Sequence, residues 1–243
     1  MAQLPPVVIL CGGRGTRLRE KTESIPKPLV EIGGRPIVWH VISIYAARGF
    51  GRFLLCTGYK GEQMAEWAAA TDWPDGLEVR CIDTGLETPT GGRLKLIEDE
   101  VESEFCATYA DGVADIDLVR LVEVHRERGQ IGTVTVVQPE LQFGVAELDE
   151  SDAVRGFVEK PSLDNWINGG FFCFQRGFFD YLKEDSVLER EPLARLATDG
   201  QLNAYRHEGF WDCMDTYKDS VMLNDLWAAG DPPWRVWAEE PVS

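Results

Sequence analysis

A short glycine-rich stretch with basic residues nearby is the part of this sequence whose residue types and spacing could do chemistry. Gly12–Gly15 follows the apolar run Val7–Leu10, and the cations Arg14, Arg17 and Lys27 lie in it or soon after it. Glycine lets backbone N–H groups approach anionic oxygens without a Cβ in the way. In a chain of net charge −17, such a local basic cluster needs a reason. A polyphosphate ligand is the simplest one.

This loop matches neither of the two best-known phosphate-binding motifs. A Walker A loop requires Lys-Ser or Lys-Thr after its last glycine, whereas Thr16-Arg17 follows Gly15. The dinucleotide fingerprint requires a third glycine where Leu18 stands, and an acidic residue about 20 residues further on. A tight strand-to-helix turn with surface arginines is the alternative interpretation, and the loop alone leaves both open.

The composition argues against two classes of partner. The 41 Asp and Glu residues outnumber the 24 Lys and Arg residues, and no run of basic residues is present. Proteins that bind nucleic acid neutralise its phosphates with a basic face, so no nucleic-acid partner is expected. No apolar run approaches the roughly 18 residues of a membrane span, so no membrane partner is expected either.

The six cysteines are scattered, without a C-x-x-C pair, and most lie in or beside apolar runs. This distribution is typical of small buried residues in a reducing compartment, and not of disulfides or a zinc site. The first residues lack the basic and apolar pattern of a secretory signal. We therefore expect a cytoplasmic protein, whose 243 residues suffice for one large domain or two closely joined ones.

Apolar runs alternate with helical patterns through the first half of the chain. This spacing predicts an α/β fold, in which βαβ units build a mostly parallel, Rossmann-like sheet with helices on both faces. Ligands of such sheets bind beyond the carboxyl ends of the strands, where the glycine-rich loop lies. The predicted strands are Val7–Cys11, Phe53–Thr57, Leu77–Ile82, Phe105–Ala110 and Gly132–Gln138, and the predicted helices are Pro36–Arg48, Gly61–Ala69, Gly92–Val101 and Asp117–Arg128.

From Pro139 onward the pattern changes to short strands joined by turns, which indicates a smaller β-rich part carrying a second substrate. We treat 1–243 as one domain with a core (1–138), the β-rich part (139–210) and a C-terminal part (211–243). The Pro- and Trp-rich tail is expected to pack on the body or on a partner subunit. The predicted elements are the strands Phe143–Leu148, Ala153–Glu159 and Gly170–Gln175 and the helices Gly177–Lys183, Glu189–Thr198 and Thr216–Ala229.

Two aspartates are candidate metal ligands. Asp111 follows an apolar strand and precedes Gly112, which directs it toward the ligand crevice. A polyphosphate site usually holds Mg²⁺, a cation that takes carboxylate oxygen together with substrate phosphate. A turn or helix-capping role is the alternative. Asp215 precedes Thr216 at a predicted helix start, where capping is the better local interpretation. Only a partnership with Asp111 makes Asp215 catalytic.

Two further segments could contact a sugar phosphate. Glu159-Lys160 closes a strand before Pro161. Its ammonium could bind a phosphate and its carboxylate could accept hydrogen bonds from sugar hydroxyls, although a plain charged strand end is equally consistent. Asn168-Gly169 precedes an apolar strand. A glycine there suits close approach of a sugar, or merely a bulge.

Together these segments resemble the sugar-phosphate nucleotidylyltransferases, and among them the glucose-1-phosphate cytidylyltransferases. The likeness runs in order over nearly the whole chain, which makes it far more specific than any single segment. The matching segments are Leu10–Leu18 with Pro26-Lys27-Pro28, Val30–Ile37, Thr90–Lys95, Asp111–Asp115, Glu159–Pro161, Ile167–Phe172, Gly209–Trp211 and Met214–Thr216. The resemblance implies the fold of the nucleotide-diphospho-sugar transferases.

The resemblance also implies roles residue by residue. Arg17, Lys27 and Asp111 would be catalytic, and Asp111 and Asp215 would share a Mg²⁺ ion. The residues implied at the nucleotide are Leu10, Cys11, Gly12, Gly13, Arg14, Gly15, Thr16, Arg17, Lys27, Thr88, Gly92 and Arg93. Those implied at the sugar phosphate are Gly144, Glu159, Lys160, Asn168 and Gly169.

The implied reaction joins a nucleoside triphosphate and a sugar 1-phosphate into a nucleotide sugar and releases pyrophosphate. CTP and α-D-glucose 1-phosphate are the favoured substrates, which would give CDP-glucose. UTP, dTTP or GTP, or another sugar or cyclitol phosphate, remain alternatives. So does a non-catalytic regulatory or sensor protein on the same fold, although a sensor need not keep a metal-binding pair. A homo-oligomer is expected.

Overall fold

A central sheet dominates the molecule. The computed structural model describes residues 3–18, 22, 24–141 and 143–237, and of residue 17 only the backbone. The strands in these ranges are β1 (Val7–Leu10), β2 (Glu31–Ile32), β3 (Arg35–Pro36), β4 (Arg52–Thr57), β5 (Glu78–Asp83), β6 (Glu104–Tyr109), β7 (Gly112–Ala114), β8 (Gly132–Val137), β9 (Val145–Leu148), β10 (Val154–Val158), β11 (Ile167–Gln175), β12 (Leu202–Arg206) and β13 (Trp211–Cys213).

Seven of these strands form one sheet in the order β12-β8-β11-β6-β1-β4-β5. Every neighbouring pair is parallel except the two made by β11, which runs antiparallel to β6 and β8. The predicted mostly parallel sheet is therefore confirmed. Strand β12 is absent from the sequence prediction. It is a half-exposed edge strand that alternates polar and apolar residues, so it lacks the continuous apolar run of a strand buried on both faces.

Helices cover both faces of the sheet, as predicted. Along β1, Val7 and Ile9 point into one hydrophobic core and Val8 and Leu10 into the other, because successive strand residues face opposite sides. The helices in the described ranges are α1 (Ile37–Ala46), α2 (Gly61–Ala70), α3 (Thr90–Lys95), α4 (Leu118–Arg128), α5 (Glu191–Thr198) and α6 (Tyr217–Ala228), with 3₁₀ turns at Thr16–Leu18, Lys27–Leu29, Glu98–Glu100 and Arg176–Tyr181. None of these helices is long and apolar enough to cross a membrane.

Two predicted helices differ from the structure. The predicted helix Gly92–Val101 is the shorter α3, which already begins at Thr90 and is followed by a separate 3₁₀ turn. Another segment of the chain packs closely on the glycines of this helix and leaves no room for a Cβ. A Cβ built on Gly91 would lie 2.8 Å from the carbonyl oxygen of Ser186. The predicted helix Gly177–Lys183 is a 3₁₀ turn, Arg176–Tyr181.

The tail packs on the body of the molecule. Trp234 is fully buried, and its indole Nε1–H donates to Nδ1 of His40 in α1 at 3.4 Å. Phe210 stacks on the Trp234 ring, with ring centroids 5.6 Å apart. The tail thereby joins α1 to the segment between β12 and β13.

Candidate functional site

The glycine-rich loop forms one wall of a cavity of about 480 Å³ beyond the carboxyl ends of β1 and β6. The opposite wall is the segment Leu86–Thr90, which follows β5. The side chain of the predicted catalytic residue Arg17 lies outside the described part of the chain. The residues predicted at the nucleotide that do line this cavity are Leu10, Cys11, Gly12, Gly13, Arg14, Gly15, Thr16, Lys27, Thr88 and Arg93.

A second cavity, of about 390 Å³, adjoins the first. Tyr109, Asp111 and Asp215 line both cavities and form the boundary between them. Asn168 and Gly169, two of the residues predicted at the sugar phosphate, line the second cavity. The two predicted binding regions therefore meet at the two predicted metal ligands.

A β-ribbon brings the two aspartates together although they are far apart in the chain. Asp111 lies between β6 and β7, and Asp215 lies two residues after the end of β13. Strands β7 and β13 pair antiparallel, with Cys213 opposite Gly112, and the N–H of Met214 donates to the carbonyl of Asp111 at 2.9 Å. Thr216, and not Asp215, caps helix α6. The local helix-cap interpretation of Asp215 is therefore wrong.

Lys27 lies between the two carboxylates. Its Nζ is 2.5 Å from Oδ2 of Asp111 and 2.7 Å from Oδ1 of Asp215, and the Lys27 side chain is only 13% exposed. Burial acts to lower the pKa of Lys27, but the charges and hydrogen bonds of the two carboxylates outweigh it, so the pKa lies above its ordinary value. Lys27 is therefore a fixed cation at the boundary of the two cavities.

This ammonium marks a position where a cation fits. Asp111 and Asp215 both direct an oxygen at one point, and carboxylate oxygen is the ligand that Mg²⁺ prefers. Mg²⁺ is usually held by one or two carboxylates together with substrate phosphates and waters. Among the described residues no group of three or more His, Cys, Asp or Glu side chains could hold a metal by itself. The pair thus suits a metal ion that arrives with a phosphate ligand.

The side chain of Arg93 connects the two segments that line the first cavity. Its guanidinium donates to the carbonyls of Thr57 and Gly85 at 2.7 and 2.8 Å and to that of Gly12 at 3.1 Å. It also donates to the hydroxyl of Thr84 at 2.7 Å. Burial lowers the pKa of Arg93 from its ordinary value. The residue predicted at the nucleotide thus fixes the glycine-rich loop relative to the segment opposite.

The contacts of Arg93 explain one glycine of the loop. A Cβ on Gly12 would collide with the Arg93 guanidinium, whereas a Cβ on Gly13 would meet nothing within 4 Å. Gly15 adopts a φ of +60°, which a residue with a side chain disfavours. A different feature therefore accounts for each glycine: the Arg93 guanidinium excludes a Cβ at Gly12, the positive φ favours glycine at residue 15, and no described residue excludes a Cβ at Gly13.

Other predicted nucleotide residues take separate positions. Arg14 forms an ion pair with Glu87 across the mouth of the first cavity, and both side chains are at least half exposed. Gly92 does not line the cavity. Its N–H donates to the carbonyl of Ser186 at 3.0 Å, and a Cβ there would collide with the carbonyl of Glu184. Gly92 therefore provides packing space for the segment before α5.

The remaining predicted sugar-phosphate residues lie on the hairpin β9–β10 and its ends. Gly144 and Glu159 are neighbours there, because a Cβ on Gly144 would lie 2.8 Å from Oε2 of Glu159. Lys160 adopts a left-handed backbone with φ 48°, a conformation that costs free energy and often marks functional segments. Neither cavity is lined by Gly144, Glu159 or Lys160.

The structure adds three side chains that sequence reasoning missed: Tyr109, Glu189 and Trp211. All line the second cavity. The Tyr109 hydroxyl donates to Oε1 of Glu189 at 2.5 Å, and the Trp211 indole donates to the carbonyl of Gly169 at 2.7 Å. The only signal for Tyr109 was its place just before Asp111 at a strand end. Glu189 was read as part of a helix, and that helix begins two residues later.

The family model described as "Nucleotidyl transferase" matches residues 6–215 of the chain. A protein of Bacillus subtilis named "Probable glucose-1-phosphate cytidylyltransferase" is 41% identical over 252 aligned residues, which cover 95% of this chain and 99% of the relative. A "Glucose-1-phosphate cytidylyltransferase" of Salmonella typhi is 39% identical over 258 aligned residues, covering 95% of this chain and 98% of the relative.

A solved structure has the same fold. The crystal structure of HddC from Yersinia pseudotuberculosis superposes with a TM-score of 0.74 at 24% identity, covering 92% of this chain and all of HddC. At this identity the likeness concerns the fold alone. The cavity, the paired aspartates and the similarity to these relatives are three separate findings about this chain.

Proposed function

Because the chain belongs to the nucleotidyl transferase family, we propose that it transfers the cytidylyl group of CTP to α-D-glucose 1-phosphate, giving CDP-glucose and pyrophosphate. The observation that carries this proposal is the convergence of Lys27, Asp111 and Asp215 where the two cavities meet. Two relatives named for this reaction are about 40% identical over nearly their full length, which supports the choice of substrates.

In this reaction a phosphate oxygen of the sugar phosphate attacks the α-phosphorus of CTP, in line with the departing pyrophosphate. The new P–O bond forms as the bond to the bridging oxygen breaks, and pyrophosphate takes the electron pair. The nucleophile is already an anion, so no general base is required. The chain must align two anionic reactants and offset their repulsion.

The described residues divide this work. Gly12–Gly15 and the cation Arg14 line the first cavity, where they would contact the triphosphate. Asn168 and Gly169 face the sugar in the second, and the Lys27 ammonium stabilises negative charge at the phosphorus between them. Mg²⁺ held by Asp111 and Asp215 would orient and neutralise the phosphates. We assign nucleotide binding to the core (1–138) and sugar binding to residues 139–210.

Release of pyrophosphate tests this proposal. Each of CTP, UTP, dTTP and GTP is combined with glucose 1-phosphate and with mannose 1-phosphate, with and without Mg²⁺. CTP with glucose 1-phosphate and Mg²⁺ should give the highest kcat/KM. A higher kcat/KM for another pair would show that the proposed substrates are wrong, whereas the proposed class of reaction would stand. If no pair releases pyrophosphate although nucleotide binds, the chain is a sensor and the proposal is wrong.

We also propose that the enzyme is a homo-oligomer. The hairpin β9–β10 exposes large apolar side chains, among them Phe143, Phe157 and Val158 at 78, 64 and 56%. An exposed group of large apolar side chains favours contact between copies, because burying them offsets the repulsion between two chains of net charge −17. Phe157→Glu should convert the oligomer to a 27.2 kDa monomer in light scattering, whereas Val221→Glu on α6 should not. A monomeric wild type would contradict the proposal.

A reducing location is consistent with the thiols. All six cysteines are described and all are free, four of them buried. Structural disulfides form in oxidising compartments and are rare in the cytosol. We propose the cytoplasm as the place where this enzyme works.

A further inference from the structure

Glu189 has a carboxylate that the proposed reaction does not yet use. Glu189 lies in the segment that connects the Arg176–Tyr181 turn to helix α5, two residues before that helix begins. It lines the second cavity. Its Oε1 accepts from the hydroxyl of Tyr109 at 2.5 Å, and its Oε2 accepts from the hydroxyl of Thr90 at 2.8 Å. Tyr109 lines both cavities and Thr90 lines the first. The carboxylate is therefore part of the wall between them.

The core of the protein fixes the position of this carboxylate. The preceding residue, Leu188, is fully buried, and its N–H donates to the hydroxyl of Thr90 at 3.0 Å. The segment from Glu184 to Ser186 rests on Gly92, where only a glycine fits. Glu189 is held in place before any ligand arrives.

The charge of the second cavity decides which part of a ligand it suits. The carboxylates of Asp111, Asp215 and Glu189 line it together with the amide of Asn168, and no Lys or Arg is among its described lining residues. Away from Lys27 this cavity repels a phosphate. An uncharged ring that carries hydroxyl donors suits it, because a carboxylate offers about four acceptor sites and Glu189 has used two.

We propose that Glu189 binds the sugar ring by accepting hydrogen bonds from one or two ring hydroxyls, and so selects sugar phosphates that carry a hydroxyl at that position. This inference rests on the proposed function, since it places the ring of the sugar 1-phosphate in the second cavity and its phosphate at Lys27. A sugar that lacks this hydroxyl would forgo a hydrogen bond to a charged acceptor, which Tyr109 and Thr90 fix in the cavity wall.

The test compares Glu189→Gln and Glu189→Ala with the wild type, using glucose 1-phosphate and its 2-, 3-, 4- and 6-deoxy analogues. Glu189→Ala should raise KM for glucose 1-phosphate by about 10- to 100-fold, as expected for a lost hydrogen bond to a charged group. KM for the nucleotide should stay within about 3-fold of the wild-type value. For one or two of the deoxy analogues, the KM of the wild type should already be higher by this factor. For those analogues Glu189→Ala should cause no further increase in KM. Glu189→Gln should fall between.

Glu191→Gln is the matched control. Glu191 is the first residue of α5 and pairs with Arg195 at 3.4 Å on the surface, so its substitution should leave every KM unchanged. An unchanged KM for glucose 1-phosphate in Glu189→Ala would overturn the inference. So would an equal loss for all analogues and for the nucleotide, because a merely structural role gives that pattern.

Calorimetric binding of glucose 1-phosphate separates this inference from the proposed function. If the wild type binds the sugar phosphate without turnover, the proposed reaction is wrong, yet Glu189→Ala must still weaken binding and the deoxy analogues must still show the same pattern. If turnover is normal and Glu189→Ala binds as the wild type does, only the inference about Glu189 is wrong.

Discussion

Lys27 illustrates how much a single side chain depends on its setting. Between two prolines it is an ordinary surface cation in the sequence, but the fold inserts its ammonium between Asp111 and Asp215. Without this cation the two carboxylates would face each other across a partly buried site, which is electrostatically unfavourable. The same charge is available to a phosphate when a ligand enters. Lys27 thus pairs with both carboxylates without ligand, and we propose that it acts in catalysis when ligand is bound.

Substitution of Lys27 should expose both roles. Lys27→Met should lower kcat/KM by about 10²-fold or more, as expected when a group that stabilises transition-state charge is removed. The ligand-free variant should also melt at a lower temperature than the wild type, and Mg²⁺ should raise its Tm by more than it raises that of the wild type, because the metal replaces the lost ammonium.

Lys95→Met is the control, since Lys95 pairs with Glu98 away from both cavities. It should leave kcat/KM and the response of Tm to Mg²⁺ unchanged. Turnover of Lys27→Met within a few-fold of the wild type would remove Lys27 from the catalytic assignment.

At the scale of elements, the site is built by loops that follow parallel strands and are tied to one another. The guanidinium of Arg93, on helix α3, joins the loop after β1 to the segment after β5. The ribbon β7–β13 joins Asp111 to Asp215. One connection is made by a buried side chain that donates to backbone carbonyls, and the other by an antiparallel strand pair.

Two adjacent glycines of the loop give a matched pair of variants. Gly12→Ala places a Cβ against the Arg93 guanidinium and should cost about 2 kcal/mol or more of stability, because the arginine must release its carbonyl partners. Gly13→Ala has room within the protein and should keep the wild-type stability. Because Gly13 lines the first cavity, where we propose that the nucleotide binds, this variant should instead raise KM for the nucleotide. Denaturant unfolding and steady-state kinetics measure the two effects, and equal stability of the two variants would contradict this role of Arg93.

At the scale of the whole molecule, the C-terminal tail is fastened to helix α1 through an uncharged histidine. His40 is fully buried, its Nε2 is 2.9 Å from the carbonyl of Ile32, and its Nδ1 accepts from the Trp234 indole. Burial lowers the pKa of His40 to about 4. The protonated imidazole would carry a hydrogen on Nδ1, which needs an acceptor there and would instead face the N–H of Trp234. The tail therefore depends on the neutral imidazole.

This arrangement predicts a pH dependence of stability. The unfolded chain takes up a proton on His40 below about pH 6.5, whereas the folded chain does so only near pH 4. The free energy of unfolding should therefore fall as the pH drops from about 6.5 to 4, by on the order of 3 kcal/mol from this residue. In His40→Gln the decrease over this range, measured by urea unfolding, should be smaller by that amount. An equally steep decrease in the variant would show that other groups cause it.

From the sequence alone one can predict the alternation of strands and helices, the sheet with helices on both faces, and the glycine-rich loop at the carboxyl end of the first strand. Each of these depends on local features: apolar runs of strand length, glycines, and helix caps such as Asp117, which accepts from the N–H of Arg120 at 3.0 Å. Such features act over a few residues, so they can be read without knowing what lies opposite.

The hydrogen bonds and ion pairs between residues that are distant in the chain could be found only in the folded structure. It placed Asp215 with Asp111 through a ribbon although 103 residues lie between them in the chain, gave Arg93 its carbonyl partners, and brought Glu189 to Tyr109. It also added the edge strand β12 and shortened α3. The physical reason is that hydrogen bonds and ion pairs act over a few ångströms in space, whatever the separation along the chain, and only the packed core brings such distant residues within that range.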